Sequence, residues 1–82
     1  MRLKIEPSAL EILAESPPPV RECLRRALDQ LRDGSLRLID AGWRPGLFYA
    51  FACDHTITVA QSHDGEILFV LGLLFDPGAE IP

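Results

Sequence analysis

The sequence predicts an α+β fold, a helix hairpin packed on a small, mainly antiparallel sheet in the order β-α-α-β-β-β. Three observations predict it. Val20, Cys23, Leu24, Ala27, Leu28 and Leu31 recur at i, i+3, i+4, i+7, i+8 and i+11, one unbroken apolar stripe of helical period. After Gly34 the period switches to extended, with Thr56-Ile57-Thr58-Val59-Ala60 β-branched and alternating. Ile67 to Phe75 is a run of nine residues without a charge, the pattern of a central strand buried on both faces.

Taken in order, Leu3 to Ile5 reads as a short strand stopped by Pro7. Ser8, with Glu11 three residues on, has the spacing of a capping box for a first short helix. Ala9, Leu10, Ile12 and Leu13 form its apolar side. Ser16 and Pro17-Pro18-Pro19 end that helix, because a residue before proline avoids the α region. Pro19 suits the first position of the next helix. Around the stripe of that second helix, Arg21, Glu22, Arg25, Arg26, Asp29 and Arg32 make a mixed-sign solvated face. Gly34 suits a left-handed C-cap. Leu36, Leu38 and Leu47 to Ala52 read as extended. Ser62-His63-Asp64-Gly65 is a turn, with Asp64-Gly65 expected as its type I′ pair.

Composition narrows the function classes. The chain has 82 residues, 48% hydrophobic and 24% charged, which suits one globular domain spanning 1–82. No apolar run reaches the roughly 18 residues of a membrane span and no leader is visible, so the expected location is cytoplasmic, with no membrane partner. Two cysteines, Cys23 and Cys53, are too few for a disulfide scaffold and form no CxxC pair. Cys23, inside the apolar stripe, reads as core. All eight Lys and Arg lie at or before Arg44, leaving the rest of the chain with a charge of −5. Phosphate neutralisation needs clustered Lys or Arg, so nucleic acid is an unlikely partner.

No set of Cys, His and acids has zinc spacing, and no glycine-rich phosphate loop is present, so neither a metal nor a cofactor is expected. His55 and His63 sit at successive hairpin turns, hence at opposite ends of an antiparallel sheet, and read as exposed turn residues. Cys53, Asp54 and His55 are contiguous and alternate in direction, so they form no catalytic triad. Leu47, Tyr49 and Phe51 share one side of their strand. With one sheet face under the helices, nothing obvious covers the other, and an exposed apolar patch of that extent marks an interface.

The order, length and turn spacing resemble the RelE/ParE toxin superfamily of bacterial toxin–antitoxin modules over nearly the whole chain. Gly42-Trp43-Arg44-Pro45-Gly46, Cys53-Asp54-His55 and His63-Asp64-Gly65 correspond to the turns, and the intervening segments to the strands. The resemblance implies an antitoxin partner. It also implies basic residues on the sheet face for RNA cleavage, near Tyr49 and Phe51, at Thr56 and near Phe75-Asp76. Every one of these is neutral or acidic here. The reading is therefore a toxin-family protein without the usual ribonuclease residues, acting through protein contacts at Leu47, Tyr49, Phe51 and Thr56 with an antitoxin, a second copy, or both. The alternatives are an mRNA endoribonuclease using Arg44, Tyr49 and His55, and a stand-alone structural or regulatory dimer.

Overall fold

A computed structural model describes residues 2–78. The elements run β1 (Arg2–Ile5), α1 (Pro7–Glu15), α2 (Pro18–Asp33), β2 (Ile39–Asp40), β3 (Leu47–Ala52), β4 (His55–Gln61) and β5 (Ile67–Phe75). They form one five-stranded sheet in the order β1-β5-β4-β3-β2. Strand β1 runs parallel to β5, and every other pair is antiparallel. The two-residue β2 adds a short edge strand to the expected order.

The prolines set the helix boundaries. Pro7 occupies the first turn of α1, where its missing N–H costs nothing. Glu6 is the N-cap, and its carbonyl accepts from the amides of Ala9 and Leu10. Ser8 therefore lies inside the helix, and the expected capping box does not form. Its hydroxyl instead donates to the carbonyl of Leu71 at 3.0 Å. That carbonyl belongs to the residue at which β5 slips register against β4, between Thr58–Gly72 and Val59–Val70. A serine that could have capped α1 thus partners the bulge.

Ser16 closes α1 in an extended conformation ahead of the prolines. Arg21 donates to the carbonyl of Ser16 at 3.0 Å, so it ties the helix junction together and does not belong to the solvated face. Gly34, at φ +83°, ends α2 in the left-handed conformation that glycine adopts without a Cβ clash.

The core lies between the hairpin and one face of the sheet. Ala9, Leu13, Leu24, Ala27, Leu28 and Leu31 pack on Ala50, Ile57, Val59, Leu68, Val70 and Leu73. Leu10 and Ile12 are exposed, so only half of the expected α1 stripe faces inward. Cys23 is a further departure. It lies on the exposed flank of the α2 stripe and is bonded to Cys53, with Cα atoms 6.1 Å apart.

The type I′ geometry falls at a different turn from the one expected. Cys53 (φ +57°) and Asp54 (φ +58°) are both left-handed, as a two-residue type I′ hairpin requires. At Ser62–Gly65 only Gly65 has positive φ, and its amide bonds the Ser62 carbonyl at 3.0 Å. This is a type I turn followed by a left-handed glycine, not the type I′ pair that Asp64-Gly65 suggests. The end of β5 departs as well. Strand β1 pairs only Ile67 to Val70, so Leu74 and Phe75 extend past it and are 64% and 65% exposed.

Candidate functional site

The face of the sheet away from the helices is built by the strand period of two. Directly paired residues share a face, so the register gives its rows. Lys4, Phe69, Ala60 and Leu47 form one row. Gly72, Thr58, Tyr49 and Ile39 form the next. Leu74, Thr56 and Phe51 form the third. The four sequence-predicted contact residues Leu47, Tyr49, Phe51 and Thr56 thus stand on one surface. Leu47 is buried, Tyr49, Phe51 and Phe69 are half-buried, and Leu74 is exposed.

Gly72 lies in the middle row, and a Cβ built there would meet no atom within 4 Å. The floor is therefore aromatic and aliphatic with an open spot between Thr58 and the edge. Beside it, Trp43 is 69% exposed and its indole N–H donates to the Tyr49 hydroxyl across 3.4 Å. Thr56 Oγ1 donates to Asp76 across 3.4 Å.

Charge is confined to the margins of this face. Leu3 and Ile5 pack on the core, which turns the exposed Arg2 and Lys4 to the opposite side along the β1 edge. Neither Arg2 nor Lys4 was singled out from the sequence. The alternation of Arg2-Leu3-Lys4-Ile5 carried the missing signal.

The three catalytic candidates do not converge. Tyr49 lies on the open face. His55 lies on the helix side, 5% exposed, which corrects its reading as an exposed turn residue. Its partner in the ladder is Phe75, whose ring meets the imidazole edge-on at 5.5 Å. The two rings line a groove of 360 Å³ with Ile12, Glu15, Ser16, Pro17 and Val20. Arg44 is exposed and lines a different space, 290 Å³, with Gln61 and His63 at the far end of β4.

Acids near that end are engaged locally. The Asp64 carboxyl is held below the usual carboxylate value by the hydroxyl of Ser62 and then by the amide of Glu66. The same oxygen of Asp64 accepts both bonds, at 2.6 and 3.0 Å. No group of three or more His, Cys, Asp or Glu among the described residues is placed to hold a metal ion. No helix among them is long and apolar enough to cross a membrane.

No protein-family model and no curated protein matches this sequence. One solved structure does match in shape, the archaeal RelE–RelB complex from Pyrococcus horikoshii OT3. The superposition has a TM-score of 0.65 at 16% identity and covers 96% of this chain and 97% of that one. The fold is RelE-like: two helices packed on a mixed five-stranded sheet.

Proposed function

We propose that this chain is a RelE/ParE-like member of a toxin–antitoxin module that works through protein contacts and not through RNA cleavage. The observation that carries the reading is the make-up of the open sheet face. Tyr49, Phe51, Phe69 and Leu74 supply its floor, and no Lys or Arg occurs in β3, β4 or β5. Aromatic side chains dominate protein interface energies, whereas RNA backbone binding needs clustered cations. The structurally similar archaeal protein is in complex with a RelB chain, which favours an antitoxin-like polypeptide as one partner. A second copy of this chain is the other.

The separation of His55, on the helix side, from Tyr49, on the open face, weighs against the endoribonuclease reading. The deciding experiment pairs two measurements on the full chain. Sedimentation is expected to show a species heavier than the 9.1 kDa monomer, either alone or with the product of a neighbouring small reading frame. RNA retention on filters is expected to be weak at about 50–200 mM salt. Tight retention with a steep salt slope would reverse the proposal in favour of RNA chemistry.

A further inference from the structure

We propose that the Cys23–Cys53 disulfide is a reversible thiol–disulfide latch that clamps the β3–β4 turn, and the groove beside it, onto α2. This concerns the helix side of the molecule and stands independently of the open sheet face. The first support is placement. Cys23 lies on the exposed flank of α2, outside the core formed by Leu24, Leu28 and Leu31. Cys53 is half-buried against that core, so a thiol reagent approaches the cystine from the Cys23 side. Access and strain are what separate labile disulfides from permanent staples.

The second support is the backbone of the turn. Cys53 and Asp54 both hold left-handed φ, near +57° and +58°. Aspartate tolerates that region, but the cysteine side chain is not among those that favour it, and a type I′ turn ordinarily places Asn-Gly there. The cross-link helps hold a conformation that Cys53 itself disfavours.

The third support is what the turn controls. The carbonyl of Cys53 accepts from His55 Nδ1 at 2.7 Å, and that of Asp54 accepts from the Asp76 amide at 2.7 Å. His55 and Phe75, immediately beyond these bonds, form one wall of the 360 Å³ groove. Val20, one helical turn before Cys23, lies on the other wall. The disulfide thus joins α2, which carries Val20, to the β3–β4 turn that precedes His55. Opening it frees the turn to relax while the packing of Leu24, Leu28 and Leu31 keeps α2 on the sheet.

The reductant is a dithiol. One of its thiolates attacks the Cys23 sulfur, the S–S bond breaks, and Cys53 departs as a thiolate that takes up a proton. The second thiol of the reductant then attacks the mixed disulfide, releasing Cys23 as its thiol. Two electrons pass to the cystine, and the reductant leaves as a cyclic disulfide. In a reducing compartment, disulfides of this kind are characteristically transient or redox-sensing.

The test equilibrates the full chain in glutathione mixtures from oxidising to reducing, with a dithiol catalyst. Free thiols are counted by alkylation and intact mass, and amide NMR spectra are recorded on the same samples. The expected result is full, reversible passage between no labels and two labels within the range of cellular glutathione mixtures. Amide shifts should be confined to residues 20–24, 53–56 and 74–76. A Cys23→Ser, Cys53→Ser double variant should fold and show the reduced spectrum in either condition. Resistance to reducing glutathione, loss of the whole folded spectrum on reduction, or failure of the double variant to fold would each make the bond a permanent staple and overturn the latch.

Discussion

The imidazole of His55 donates its Nδ1 proton to the carbonyl of Cys53 across 2.7 Å, because a carbonyl can only accept. That bond holds the ring edge-on to Phe75. The arrangement is structural as it stands. It turns a histidine at the start of β4 into part of the wall between sheet and helices.

His55→Ala is therefore expected to destabilise the fold by about 1–3 kcal/mol, through the lost bond and the lost ring packing. Urea unfolding would measure it. Binding of any partner at Tyr49 and Phe51 should be unchanged, since those side chains face away. A variant of unaltered stability would mean that the ring does not occupy this site.

Leu28 sits mid-stripe on α2 and is 5% exposed in the main cluster. Leu28→Ala should cost about 2–5 kcal/mol, lost transfer energy plus a cavity. A domain of this size has about 4–12 kcal/mol in all. Calorimetry should show a markedly lower Tm.

Such positions were legible because their signal is periodic. The α2 stripe, the limits of β3 and β5 and the glycine cap of α2 all follow from local spacing. What stayed hidden was non-local. Ser8 has the sequence of a cap, but the bulge carbonyl of Leu71, 63 residues away, takes its hydroxyl. Cys23 has the spacing of a core residue, but it lies at the stripe's edge, where only the folded turn brings Cys53 within bonding distance. His55 is buried because Phe75, twenty residues on, pairs with it. The open face was legible as alternation within β3. Its charged margin was not, because β1 joins the sheet beside β5 by a crossover that no local pattern announces.

The β4–β5 turn should respond to acid. Asp64 is held below its usual value of 3.8 by bonds to its charged form. A carboxyl whose folded pKa is depressed contributes stability above its unfolded pKa and loses it as pH falls through the folded one. Wild type should therefore be more stable than Asp64→Asn near neutrality, and the two should converge below about pH 4. Unfolding midpoints taken across that range provide the check. A constant difference in acid would show that the carboxylate bonds are not its source.

The open face can be probed without removing any side chain that packs. Gly72 pairs with Thr58 in the middle of the three rows, and a Cβ there meets nothing within 4 Å. Its φ lies outside the left-handed region, so an L-residue fits the backbone. Gly72→Ala should leave the fold intact and raise stability by about 0.4–1 kcal/mol, by restricting the unfolded chain. Gly72→Arg places a charge among Tyr49, Phe51 and Phe69 while its stem extends over the face. If that face is covered by polypeptide, the arginine must be desolvated on association or block it, and the complex should weaken by at least tenfold. Sedimentation across a concentration series reads the change, and thermal unfolding of the same sample confirms the fold. A Gly72→Arg variant that associates like wild type would place the contact surface elsewhere. One that loses association while unfolding as wild type does would locate it on the Tyr49–Phe51 face.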